Sequence, residues 1–364
     1  MTYTAVNQIL EEPDGEAAKS HAHVCEMLRS MHRLTLNLIR RREQRGAIDF
    51  DLPEAELEYN DEGRICGIVR AERNIAHRLI EEFMLLANET VASHLEGLGV
   101  PLLYRIHEEP NPAKIEEFSE IAAAFGHKFS MHGPVPQRGF QQLTRQIEGR
   151  PEERMLSYLM LRSMQRAKYS PANEGHYGLA MKTYAHFTSP IRRYPDLIVH
   201  RILRLLLEQG VNDGNDLGRK RALRRRSEPV FSEEQEADLR ARLEAIGSYS
   251  SERERAADGA ESELMDWRRA QFMSTRVGDE FDGVISSVRE FGFFVELLEV
   301  FVEGLVHLTT LDDDRYEFEE RKHRLTGLRR GRVFRLGDAV RVAVDRVDLV
   351  RHRIELSLVS AQLR

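Results

Sequence analysis

The sequence predicts an α+β chain in two unequal parts: a mostly helical body over residues 1–275 and an all-β, five-stranded barrel over residues 276–364. Three observations predict it. Long windows in the first part repeat apolar residues at three- and four-residue steps, the period of a helix with one buried face. After Gly278 the pattern changes to short runs rich in Val, Ile and Phe between Gly and Asp turns, which is how a small closed barrel reads. The chain has 364 residues, 41% hydrophobic and 31% charged, enough for two or three domains and too apolar for a disordered polymer.

The elements follow in order. Val24, Met27, Leu28, Met31, Leu34 and Leu38 place a long helix over residues 15–45. The stretch "AIDFDLPEAELEYNDEGRICGIVR" alternates apolar and polar residues across an Asp-Glu-Gly turn and predicts a hairpin. Residues 72–97 form a second periodic helix, and "VPLLYRIHEEP" reads as a strand ended by proline. Shorter helices follow to about residue 165. "GHYGLAMKTYAHF" reads as extended, and a helix begins at Ser189 and runs to about Leu207. "GRKRALRRRSEP", residues 218–229, is a basic surface insertion, and a last long helix covers about 232–274. The barrel strands are "GDEFDGVISSVREFGFFVEL", "VEGLVHLTTL", "GDAVRVAVDRVD" and "RHRIELSLV".

Composition narrows the function. The formal net charge is −7, so any affinity for a polyanion must come from a local patch. The two cysteines, Cys25 and Cys66, match no metal-ligand spacing and read as reduced thiols of a cytoplasmic protein. No apolar run approaches the ~20 residues that span a bilayer. The first residues, "MTYTAVNQILEEPDGE", are neither basic nor apolar enough for a secretion signal.

Two stretches carry chemistry. In the barrel, Phe281, Phe291, Phe293, Phe294 and His307 lie near turns, interleaved with Arg289, Arg351 and Arg353. Aromatic rings on an OB-type sheet stack bases while arginines follow the phosphates, although strand alternation must bury some of these rings. Phe291, Phe293, His307 and Arg353 are the expected RNA contacts. The second stretch is "YAHFTSPIRRYPDLIVHRIL", Tyr184 to Leu203. Ser189 fits a helix cap and Pro190 a first helical position, which puts Arg192 and Arg193 against the positive end of a helix dipole. An anion would offset that placement, and a guanidinium fork suits a phosphate. Asp196 offers the other explanation, a local ion pair. Arg192 is expected to face a phosphate, and Arg193 to pair locally or to contact RNA beside it.

The order of motifs in residues 278–360 resembles the S1-type RNA-binding domain, and "DDDRYEFEERKHRLTGLRRGRVFRLGD" resembles an insertion found in one branch of it. "HYGLAMKTYAHFTSPIRRYPDLIVHR" resembles the signature of the RNB family of 3′→5′ exoribonucleases, of the ribonuclease R branch. "MTYTAVNQIL", "RGAIDFDLPE", "AHRLIEEFMLLANETVA" and "RSMQRAKYSPANEGHYGLA" match neighbouring family segments in the same order. The resemblance implies a hydrolytic, magnesium-dependent nuclease that acts on single-stranded RNA, with no membrane association and no DNA preference. It implies that Arg192 holds the phosphate at the scissile end, that Glu261 lies near the catalytic centre, and that Asn88 and Glu89 lie beside the RNA channel.

One part of the family pattern is missing. The aspartate cluster that holds the two magnesium ions reads approximately "I-D-x-x-x-A-R-D-x-D-D-A", and no such run occurs here. Asp312, Asp313 and Asp314 lie in the barrel insertion, and Asp49, Asp51 and Asp61 in the hairpin region, both in the wrong order along the chain. The expectation is therefore an N-terminally shortened RNB domain without metal ligands, from a truncated gene, a late start codon or a split enzyme. The alternative is an inactive RNA-binding protein, or a subunit that needs a separate chain carrying the acidic half. A helical protein with a barrel and no RNA role is the blandest reading.

Overall fold

The computed structural model describes residues 1–49, 55–71, 73–129, 137–150, 152–208, 231–320 and 323–362. The basic run at 218–229 and Asp51 lie outside them. The body opens with α1 (Tyr3–Glu11), whose Ala5 N–H donates to the Thr2 hydroxyl at 3.2 Å. α2 (Glu16–Ser20) and α3 (Ala22–Arg45) replace the single helix expected over 15–45. The break falls at His21. Its ring Nδ1 and the Ser20 hydroxyl both bond the Ala17 carbonyl, so side chains compete with the helical ladder there. Gly46, at φ +105°, ends α3 in the left-handed region that glycine enters at little cost.

The expected hairpin is β1 (Ala55–Tyr59) paired antiparallel with β2 (Ile65–Arg70). α4 (Ile75–Gly97) starts at Asn74, whose side chain accepts from Ala76 and His77 in a reciprocal cap. β3 (Tyr104–Ile106) pairs with β4 (Lys168–Ser170), and α5 (Pro112–Ala124), α6 (Gln137–Ile147) and α7 (Glu153–Ser163) lie between them in sequence. α8 (Tyr194–Glu208) and the long α9 (Glu233–Met273) complete the body. Ser232 caps α9 reciprocally with Gln235, and Glu233, Glu234 and Glu236 in the first turn suit the positive end of the dipole.

The barrel is closed, in the order β11–β12–β7–β6–β5 with β11 pairing back to β5. Its strands are β5 (Glu280–Arg289), β6 (Gly292–Leu297), β7 (Val302–His307), β11 (Ala339–Asp348) and β12 (Arg353–Gln362). β12 runs parallel to β7, and the other ladders are antiparallel. The insertion expected between β7 and β11 forms its own three-stranded sheet: β8 (Tyr316–Glu319), β9 (Arg324–Gly327) and β10 (Val333–Arg335).

The barrel core is not confined to the barrel. Phe272 and Met273 from α9 and Ile68 from β2 are buried with Phe281, Ile285, Phe293, Val295, Val342 and Leu356. A second core joins α4, β3, α8 and α9 through Leu95, Ile106, Val199, Ile202 and Leu243. A third packs α5, α6 and α7 around Phe140, Leu143 and Leu156. These cores hold the two places where sequence analysis located chemistry: the segment before α8 and the outer face of β6 and β7.

Candidate functional site

The segment between β4 and α8 is irregular, with isolated bridges from His176 to His107 and Met181. It is not a regular extended strand. Its path is fixed by side chains from neighbouring elements. Asn88 on α4 donates to the Tyr184 hydroxyl at 3.0 Å, and its carbonyl oxygen accepts from Phe187 N at 2.9 Å and Thr188 N at 3.2 Å. Asn88 is 2% exposed, so it holds the loop and cannot reach RNA. His200 donates from Nε2 to the Phe187 carbonyl at 2.9 Å, and the two rings stack at 4.0 Å.

Asp196 then sets the turn. It is fully buried, and its carboxylate accepts from Ser189 N at 2.8 Å and from Arg193 Nε and Nη2, both at 2.9 Å. Ser189 therefore does not start the helix, as the sequence suggests it should. The carboxylate draws Ser189 and Arg193 into a turn, α8 begins at Tyr194, and Pro195 rather than Pro190 occupies the first helical turn. The turn leaves Ile191 fully exposed and presents Arg192 to solvent. Among the described residues, the Arg192 guanidinium has no hydrogen-bond or ion-pair partner, whereas Arg193 is neutralised by Asp196.

The electrostatics beside Arg192 are unusual. Burial, then Arg193, Arg105, His176 and Arg192 in that order of effect, lowers the His186 pKa to about 2, so this imidazole is neutral. Its Nδ1 lies 2.8 Å from the Tyr169 hydroxyl, whose pKa burial pushes up to about 12. A protonated phenol donates to Nδ1, which leaves the proton of the neutral imidazole on Nε2, a donor without an acceptor among the described residues. His176 is likewise neutral, lowered to about 3 by burial and the adjacent His107 and Arg105. Arg105 is held by Glu254 of α9 at 2.5 and 3.1 Å and lies 4.6 Å over the Tyr169 ring.

Glu261 sits on the same helix as Glu254. Gly247, Ser251, Glu254 and Glu261 share one face of α9 by their spacing. That face touches β4, where Ser251 Oγ accepts from Tyr169 N at 2.9 Å. Glu261 lies seven residues beyond Glu254, ~10 Å along the axis, and is exposed. Glu89 is not available in the same way: its carboxylate pairs with Arg45 at 2.7 Å.

The barrel corrects two further expectations. Phe293 is 0% exposed and stacks on Phe334 in the core at 4.8 Å, so it offers no face to a base. The reason is register. Phe291 belongs to the turn before β6, and alternation starts at Gly292 (φ +151°), so Phe293, Val295 and Leu297 point inward and Phe294 outward. Phe291 is 43% exposed, meets the half-buried Phe294 edge-on at 6.2 Å and faces His307 at 6.4 Å. Phe294 is the member of this patch that sequence analysis did not select. The matching of Phe293 with Val295 and Leu297, and of Phe294 with Glu296, was the available signal. Arg353 does not join the patch. The register of β12 on β7 aligns Glu355 with Leu305, which puts Arg353 level with Glu303, ~13 Å along the strands from His307.

Among the described residues, no group of three or more His, Cys, Asp or Glu side chains converges to hold a metal ion. Asp196 is engaged by Arg193 and Glu254 by Arg105. The residues present therefore do not fit the magnesium pair that the sequence resemblance implies. Among the described residues, no helix is long and apolar enough to cross a membrane.

Body and barrel together define the class: an α+β domain followed by a five-stranded barrel of the S1 kind. The RNB domain family matches residues 1–209, and the S1 RNA binding domain matches residues 274–358. The chain belongs to the RNB family. It is 46% identical to the Ribonuclease R of Aquifex aeolicus (strain VF5), over 99% of this chain and 48% of that protein. The Ribonuclease R of Escherichia coli (strain K12) is 40% identical over 100% of this chain and 43% of its own length. The structure of Mycoplasma genitalium RNase R in complex with ribose methylated single-stranded RNA superposes with a TM-score of 0.84 at 26% identity, covering 98% of this chain and 53% of that one. The chain thus spans about half the length of the relatives it matches.

Proposed function

We propose that this chain is the phosphate-holding and RNA-binding part of a 3′→5′ exoribonuclease of the ribonuclease R type, working on single-stranded RNA in the cytoplasm. The observation that carries the reading is Arg192. It is an exposed guanidinium without a partner among the described residues, on a turn held by Asn88 and Asp196, while the arginines around it are already paired. A phosphate of the RNA backbone supplies the missing anion. Charge builds on the phosphoryl oxygens as the bond breaks, so the Arg192 contact strengthens toward the transition state. The neutral His186 Nε2–H adds a donor that carries no counter-charge, and Glu261 is the acceptor on the α9 face for a ribose hydroxyl. Phe291, Phe294 and His307 stack bases without reading their identity.

The magnesium ions of the family would supply an activated water and stabilise the leaving oxygen. Asp196 and Glu254 are engaged by arginines and do not serve as ligands of these ions. We place the ions' ligands outside the described residues. The same engaged carboxylates favour a second reading, in which this polypeptide by itself binds RNA without cutting it, or acts as a subunit beside a separate chain.

The test is a 5′-labelled single-stranded RNA incubated with the 364-residue chain and magnesium. The expected outcome is bound but intact RNA. Adding a polypeptide that carries the family's acidic run should produce a descending ladder, and Arg192→Ala in that mixture should lower turnover more than binding. A ladder from the chain alone, lost in Arg192→Ala, would overturn the division of labour. Intact RNA in the complemented mixture would leave the binding reading in place.

A further inference from the structure

We propose that the groove between α7 and the barrel is a second binding surface for single-stranded RNA, continuous with the aromatic patch on β6 and β7. The proposal rests on the reading of that patch as RNA-binding. Its geometry starts from a fixed contact. Arg154, in the first turn of α7, pairs with Glu296 of β6 at 2.5 Å and lies 4.6 Å over the Phe301 ring. Tyr158 and Arg162 follow one and two turns later on the same helical face. Beyond the contact, helix and barrel part to leave a groove of about 430 Å³.

The walls have the chemistry of a nucleotide site. Tyr158 is 57% exposed, so its ring is open on one side. Phe294 forms part of the opposite wall and also meets Phe291 at 6.2 Å, so the groove and the patch share a ring. Lys114 from α5, Arg162 from α7 and Arg289 from β5 line the groove, and among the described residues none of the three has an ion-pair or hydrogen-bond partner for its side chain. Two carboxylates also line it, Glu117 and Glu303, and Glu303 already accepts from the Ser286 hydroxyl. On a chain of net charge −7, unpaired cations beside exposed aromatics select a ligand with phosphates and planar bases. A strand leaving the Phe291–Phe294–His307 patch reaches the body here.

The experiment is anisotropy of a short 5′-labelled oligo(U) titrated with the full chain at several salt concentrations. Lys114→Glu/Arg162→Glu, both on exposed positions, should weaken binding by at least about fivefold and flatten the salt dependence by a slope of ~1.4, the loss of two phosphate contacts. Arg29→Glu/Arg33→Glu on α3 makes the same charge change away from the groove and should have little effect. Equal losses in the two double variants would mean that only net charge matters and would overturn the proposal. Unchanged binding in Lys114→Glu/Arg162→Glu, with loss in Phe291→Ala, would overturn the groove and keep the barrel reading. Loss in the groove variant with none in Phe291→Ala would keep the groove and remove the barrel patch. Thermal melts at the wild-type temperature establish that the variants are folded.

Discussion

Adjacent in sequence, Arg192 and Arg193 differ because the turn brings only Arg193 to the buried Asp196 carboxylate. Asp196 takes two hydrogen bonds from Arg193 and one from the Ser189 backbone, and Arg192 makes none with it. Asp196→Ala removes the partner of both groups at once. It should destabilise the fold by about 3 kcal/mol, because a buried pair broken on one side leaves an uncompensated charge, and urea titration would measure it. A loss under about 0.5 kcal/mol would show that the turn is held by other contacts. The paired phenylalanines separate in the same manner. Phe294→Ala should cost ~1–3 kcal/mol of RNA affinity with little change in melting. Phe293→Ala should cost ~3–5 kcal/mol of stability from its cavity. Binding and melting of both variants would check the assignment, and a reversed pattern would return Phe293 to the surface. The sequence shows which residue types are present, and the turn decides which of them face out. Two rings one residue apart exchange roles when alternation starts one position later.

At the scale of elements, periodicity located most helices and strands, because a buried face imposes its period directly on the sequence. α4, α9 and the five barrel strands were legible for that reason. The start of α8 was not. Ser189-Pro190 has the local chemistry of a helix start, and a carboxylate seven residues later overrides it. The roles of Asn88 and Glu89 were hidden for a related reason: each has its partner on another element. The irregular segment before α8 makes a prediction of its own. His176 and His186 are neutral in the fold, with pKa values lowered from 6.5 to about 3 and about 2. In the unfolded chain they take up protons below pH 6.5, so their contribution to stability is complete above that pH and is lost as pH falls. Each lost proton balance amounts to about 1.4 kcal/mol per pH unit. Urea midpoints should therefore fall between pH 7 and pH 5, and His176→Gln should make the dependence shallower. Equal slopes for the wild type and the variant would contradict this account.

At the scale of the whole molecule, the cores cross the boundary that the sequence draws. The change of pattern after Gly278 marks where strands begin, and a division at 275/276 follows from it. Phe272 and Met273 lie on the body's side of that division and are nonetheless 6% and 0% exposed within the barrel core. Arg276 covers Phe272 from outside, with its guanidinium 4.8 Å from the ring centroid. A barrel excised at residue 276 therefore loses two large side chains from its interior and opens that interior to water. Removing a buried Met and Phe costs ~2–5 kcal/mol each when the structure cannot close over the gap, which is comparable with the whole stability of a small barrel. A fragment of residues 276–364 should thus melt far below a fragment that begins within α9, at residue 265, and should bind more of the dye ANS, although both lack Ile68. The longer fragment should retain the RNA affinity of the Phe291–Phe294–His307 patch, since none of those residues depends on the body for its position. Two fragments with the same melting temperature would place the end of the barrel's core at Arg276 and make the contact with α9 incidental.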